Sequence, residues 1–140
     1  MTIHMTSSAC AVAECERIIE WVDTDATGFI HNSVANRLFE IGEAHYLRPR
    51  GLEHLVQVTP RVRMLFNFKS RLAFGDKVVI EVWIKEIVKT SLVWQMKVRK
   101  VDGTEAIEGE VTVVHVQSDG PSPWTESQRR ALFSAVGEDS

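Results

Sequence analysis

Residues 20–32 read EWVDTDATGFIHN: two carboxylates, Asp23 and Asp25, then Gly28, then His31 and Asn32, directly ahead of a long helical pattern. Three readings of residues of these types at this spacing compete. Asp23, Asp25 and Gly28 imitate the opening of an EF-hand calcium loop, but its twelfth position must supply a bidentate carboxylate and here holds Val34, so calcium is excluded. A structural reading takes Asp and Gly as turn formers, with a carboxylate favoured at the positive end of the following helix. A catalytic reading sets a carboxylate, as nucleophile or base, beside the unpaired first N–H groups of a helix. Those are the two parts that acyl transfer requires.

Both of the last two readings need elements that hold the loop in place. Upstream, Glu14 to Val22 alternates and is read as a strand. Downstream, from Asn32 to about Arg48, Val34, Ala35, Leu38, Phe39, Ile41, Gly42, His45 and Tyr46 collect on one side at the helical period. Asn36, Arg37, Glu40 and Glu43 fall on the other. Asn32 or Ser33 is placed to cap this helix, and Pro49 with Gly51 forces the chain out of it. Gly42 in mid-helix costs about 1 kcal/mol against Ala, which predicts close approach to a sheet.

Beyond Gly51 come four β-branched and aromatic runs, 61–70, 77–87, 91–101 and 105–117, separated by turn residues at FGDK, VKTS and VDGT. A meander of antiparallel strands is the simplest connection. In the second run Ile80, Val82 and Ile84 share one face and Glu81, Trp83 and Lys85 the other, so one face is core. The tail offers a capping box, Thr125 with Gln128, followed by Leu132, Phe133 and Val136, which predicts a short helix. The order strand, long helix, four strands predicts an α+β fold in which one five-stranded antiparallel sheet curls around a central helix. Its two open edges call for a second copy of the chain, in a homodimer or homotetramer.

At 140 residues the chain fits one domain, read as a leader at 1–12, a folded unit at 13–120 and a tail with a short helix at 121–140. An apolar share of 44%, a charged share of 25% and a net charge of −3 are ordinary for a globular protein and give nucleic acid no electrostatic reason to bind. With no Lys or Arg and no long apolar run in the first twelve positions, neither a secretory signal nor a membrane span is expected. The cytoplasm is the default location. Cys10 and Cys15 have no zinc-spaced companions and are read as reduced thiols, and neither a metal nor a cofactor is expected.

The stretch WVDTDATGFIHNSVANRLFEIGEAHYLRPRGL resembles the signature of the 4-hydroxybenzoyl-CoA thioesterase group of hotdog-fold acyl-CoA thioesterases. The shared features are Asp23, Asp25, Gly28, Asn32, the pair Phe39 and Glu40, and Leu47, Arg48 and Gly51 at the helix end. FGDKVVIEVWIKEIVKTSLVWQMKV is similar to that family's following turn and Ser-initiated strand, so the likeness spans about residues 15–117. The resemblance implies a hotdog fold and hydrolysis of an acyl thioester, carried by coenzyme A or an acyl carrier protein. Asp25 would be the catalytic carboxylate, Asp23 a support, and the backbone N–H of Asn32 the donor that polarises the carbonyl. Where many relatives carry Tyr, this chain has Ala35, which implies a wider acyl pocket or a neighbour filling the gap.

Around this centre, His31 is a further catalytic candidate, able to orient water or substrate, and Gly28 and Ala35 are candidates for shaping the substrate pocket. Arg61, Arg63, Lys69, Arg71 and Lys89 are candidates for the phosphates of coenzyme A, with Lys89 and Ser91 preferred because they match the Ser-initiated strand. Trp83 and Trp94 could line an acyl pocket, although aromatics on strands first of all pack. His45 is read as a hydrogen-bonded core residue, and Glu40 and Glu43 as a solvated or interface helix face. Two other functions remain open: a non-hydrolytic binder of acyl thioesters, and a hydratase or dehydratase, which would need His31 paired with a carboxylate.

Overall fold

The computed structural model describes residues 11–135. Among them the elements run β1 Ala13–Ile18, α1 Val34–Leu47, β2 Arg61–Phe68, β3 Lys77–Ile87, β4 Ser91–Lys100, β5 Glu105–Val114, β6 Val116–Gln117, β7 Gly120–Pro121 and α2 Glu126–Leu132. Short 3-10 turns lie at Trp21–Asp23, Arg48–Arg50 and Glu53–Val58. Strands β1 to β5 form one antiparallel sheet in the order β1-β3-β4-β5-β2. This is the expected α+β arrangement of one five-stranded sheet around one helix, with α1 lying across β1 and β3.

Alternation decides which face of the sheet meets the helix. Leu92, Trp94, Met96 and Val98 of β4 are buried, and their neighbours are half-exposed. Helix α1 answers with Val34, Ala35, Leu38, Phe39, Tyr46 and Leu47, all buried. Trp94 meets the edges of Phe39 and Tyr46 at 6.2 and 5.1 Å between ring centroids, so this Trp is a packing residue, while Trp83 is half-exposed on the other face. Gly42 sits where the helix touches β3. A Cβ built there would lie 2.3 Å from Val82 Cγ2, which explains the mid-helix glycine.

The chain departs from expectation in four places. The first strand stops at Ile18 and does not reach Val22, because the Ile19 N–H turns to the Asp76 carbonyl (2.8 Å) and a 3-10 turn follows. The meander holds only for β3, β4 and β5. Both sides of β3 are taken by β1 and β4, so β2 pairs with the far side of β5 instead and becomes an edge. The last run breaks at His115, whose N–H goes to the Thr90 carbonyl, before the small β6–β7 pair. In α1, Glu43 is 2% exposed and not solvated, whereas His45 is exposed and not core.

Both tail signals have structural counterparts. Thr125 caps α2 by accepting from the Gln128 N–H at 3.0 Å, while Gln128 Oε1 accepts from the Thr125 N–H at 2.8 Å. The Tyr46 hydroxyl donates to the Leu132 carbonyl at 2.6 Å, tying α2 to α1. Val136 and Cys10 lie outside the described residues. Cys15 is half-buried, and burial pushes its thiol up from the usual value against the opposing pull of Arg17, so it is a poor nucleophile at neutral pH.

Candidate active site

The two aspartates have opposite environments. Asp23 is 2% exposed, accepts from the Glu20 N–H at 2.8 Å and meets Arg17 Nη2 at 3.3 Å through both oxygens. Its carboxylate fastens the 3-10 turn. Asp25 is exposed at the tip of the next turn, where its Oδ1 accepts from the Thr27 N–H (2.8 Å) and the Thr27 hydroxyl (2.5 Å). Its Oδ2 has no partner among the described residues. The Thr27 hydroxyl first, then the Thr27 backbone N–H, hold the Asp25 carboxyl below its usual range, and the group is an anion at neutral pH.

Local backbone geometry fixes that tip. The Asp25 N–H donates to Phe29 O at 3.0 Å and the Gly28 N–H to Asp25 O at 3.0 Å, with Gly28 at φ 85°, in the left-handed region that favours glycine. An isolated bridge from Thr24 to Ile30 closes the loop on itself, and one from Phe29 to Ala73 fastens it to the segment entering β3.

At the entry to α1 the N–H groups are taken one after another. His31 donates to Asp23 O (3.1 Å), Ser33 to His31 Nδ1 (3.1 Å), Val34 to His31 O (2.9 Å) and Ala35 to Asn32 O (3.2 Å). The Asn32 N–H is the exception, with no acceptor among the described residues. Ser33 occupies the cap position without a side-chain cap bond, and the His31 ring performs that task. Nδ1 is thereby turned to the helix start, and no hydrogen bond or ion pair joins His31 to a carboxylate among the described residues, the pairing a hydratase would need.

Asp25 and Asn32 line one cavity of about 350 Å³, whose other walls include Thr27, Phe29, Phe68 and Arg71. Gly28 shapes its loop. The remaining candidates are placed elsewhere in the chain. Ala35 is fully buried among core side chains and does not line this cavity. Lys89 and Ser91 flank the β3–β4 turn, the full length of β3 away, or about 35 Å at 3.3 Å per residue. There Trp124 covers them, its N–H on Lys89 O and its Nε1 on Ser91 O, both at 3.1 Å.

The basic candidates divide in the same way. Arg63 pairs with Glu110, and Lys69 with Glu105 and Glu108. Arg61 makes a two-pronged bond to Glu43 at 2.6 and 3.0 Å, and burial pushes the Glu43 carboxyl up against the opposing pull of this guanidinium. Phe29, Phe68 and the Glu43–Arg61 pair were not singled out from sequence. The Asp-x-Thr spacing that lets Thr27 bond Asp25 was legible as an Asx turn.

What this arrangement can do is bind a carbonyl oxygen at one N–H while a neighbouring carboxylate addresses its carbon. No His, Cys, Asp or Glu cluster suited to a metal occurs among the described residues. None of their helices is long and apolar enough to cross a membrane.

Solved structures share the fold over nearly their whole length. The 1,4-dihydroxy-2-naphthoyl-CoA thioesterase of Synechocystis is 13% identical with a TM-score of 0.78, covering 87% of this chain and 96% of its own. A Thermus thermophilus thioesterase complexed with coenzyme A and zinc is 20% identical with a TM-score of 0.79, covering 86% and 97%. A gentisyl-coenzyme A thioesterase is 23% identical with a TM-score of 0.76, covering 85% and 98%. These likenesses establish the hotdog fold. A search among curated proteins gives no match. The family model of the thioesterase superfamily matches residues 27–107, more than half of the chain, beginning just after Asp25. The chain therefore belongs to the thioesterase superfamily and is a thioester hydrolase.

Proposed function

We propose that the chain hydrolyses an acyl-CoA thioester, with Asp25 as nucleophile and the backbone N–H of Asn32 as the donor to the thioester oxygen. The observation that carries this reading is the pairing of one unaccepted N–H at the start of α1 with one unengaged carboxylate oxygen in the same cavity. Oδ2 of Asp25 attacks the carbonyl carbon, and the oxygen takes the electron pair against the Asn32 N–H. The C–S bond then breaks, the thiolate of coenzyme A leaves and takes a proton from water. Water cleaves the resulting anhydride, giving the free acid and restoring the carboxylate. A depressed pKa suits a nucleophile that must be ionised better than a general base, which works best near the operating pH. A single oxyanion donor of this kind contributes about 3 kcal/mol to the barrier.

The flat walls of Phe29 and Phe68 suit an aryl acyl group, and two of the similar structures are named for aryl-CoA substrates. The edge strand β2 supports a second copy of the chain. Val62 and Phe68 are 60% and 47% exposed there, and β2 has an unpaired side among the described residues. Phe68 belongs both to this edge and to the cavity, so a partner strand would close the cavity wall. Lys89 and Ser91 would then reach coenzyme A only from such a partner.

The test is free-thiol release from a panel of aromatic and aliphatic acyl-CoAs, with the same acyl groups on a carrier protein alongside. Turnover of at least one coenzyme A thioester is expected. Tight binding without release would make the protein a carrier of acyl thioesters instead.

A further inference from the structure

Arg71 stands apart from the other cation that lines the Asp25 cavity. Lys69, which lines the same cavity, is held by Glu105 and Glu108, both at 3.3 Å. Arg71 forms no ion pair among the described residues, and its guanidinium lies over the Phe29 ring, 4.2 Å from the centroid. Its backbone position is fixed on both sides. The Ser70 N–H donates to Ala106 O at 3.2 Å, and Leu72, fully buried, accepts from the Ile30 N–H at 2.9 Å. The side chain is thus an exposed positive charge laid against Phe29 from a fixed backbone, its guanidinium in no hydrogen bond or ion pair among the described residues, on the wall of the cavity that also holds Asp25.

We propose that Arg71 selects acyl groups that carry their own carboxylate, with the hydrocarbon or ring of the acyl group lying against Phe29 and Phe68. This rests on the thioesterase reading of Asp25. The choice of anion follows from distance along the substrate. In a coenzyme A thioester the phosphates are separated from the reacting carbon by the whole pantetheine arm, whereas an acyl substituent lies within a few bonds of it. A cation that shares a small cavity with the nucleophile therefore meets the acyl end first. A planar guanidinium binds a carboxylate through two parallel hydrogen bonds, which a neutral acyl end cannot accept.

The experiment compares matched pairs of thioesters that differ only in a terminal carboxylate, glutaryl-CoA with valeryl-CoA and 4-carboxybenzoyl-CoA with benzoyl-CoA, on the native protein, Arg71→Gln and Arg71→Lys. The expected result is a native preference of about tenfold or more in kcat/KM for the acid-bearing member of at least one pair. That ratio should collapse towards one in Arg71→Gln and be partly kept in Arg71→Lys. An unchanged ratio in Arg71→Gln, or no native preference, overturns the proposal. So does an equal loss on every coenzyme A thioester that disappears with N-acetylcysteamine thioesters, since Arg71 would then be reading carrier phosphates. Dissociation constants of the non-hydrolysable thioether analogues of the same pairs, measured by calorimetry, read Arg71 without turnover. Selective binding that is lost in Arg71→Gln supports the assignment even if Asp25→Asn proves harmless and the catalytic reading fails.

Discussion

At the scale of single residues, what separates Asp25 from Asp23 is what each oxygen touches. Asp23 is consumed by Arg17 and the Glu20 N–H, while Asp25 keeps one oxygen unengaged. As the proposed nucleophile, Asp25 would act only when ionised, and Thr27 holds its pKa low. Activity should therefore persist to acid pH and fall only as pH drops through that depressed value. Thr27→Val removes the largest cause, so the acid limb of kcat/KM, measured in brief pH-jump assays, should move to higher pH. A limb that stays where it was would disconnect Asp25 from the rate. For the oxyanion donor, Asn32→Pro deletes the N–H and Asn32→Ala retains it. The Pro variant should lose roughly 10²-fold more kcat than the Ala variant, and equal losses would place the donor elsewhere.

At the scale of elements, two contacts keep α1 against the sheet. A methyl group at position 42 would enter the space of Val82, so Gly42→Ala should destabilise by about 1–3 kcal/mol in urea melts despite the better helix propensity of Ala. An unchanged midpoint would mean that β3 yields. Glu43 and Arg61 tie the helix to the start of β2 through a buried pair. Glu43→Ala strands a guanidinium that is only partly exposed and should cost about 2–3 kcal/mol, whereas Glu43→Met with Arg61→Met should fall within about 1 kcal/mol of the native chain. Periodicity made α1 and β3 legible because each repeats its own period along its whole length. It misplaced Glu43 because a charged residue at the border of an apolar stripe is read as solvated unless its partner, 18 residues away, is known. His45 failed in the opposite sense: it lines an open cavity between the start of β1 and residues 133–135 instead of packing into the core.

At the scale of the whole molecule, the sheet-and-helix order was readable because alternation and the helical period alternate cleanly along the chain. The seat of β2 was not, since which side of a sheet accepts a strand depends on pairings already made by β1 and β4 with β3. The resemblance proposed which carboxylate to choose, but not which side chains would face it, because Phe68 and Arg71 reach the cavity only through the path of the chain at and beyond the end of β2. The exposed apolar side chains of that edge predict self-association. Val62→Glu should shift the mass in light scattering to that of one chain and reduce turnover with it, and an unchanged mass would leave β2 unpartnered. The account as a whole turns on one carboxylate. Thiol release by Asp25→Asn, assayed on the best substrate of the native protein with the fold verified by circular dichroism, should fall by roughly 10³-fold or more. Release within a few-fold of the native rate would contradict the account.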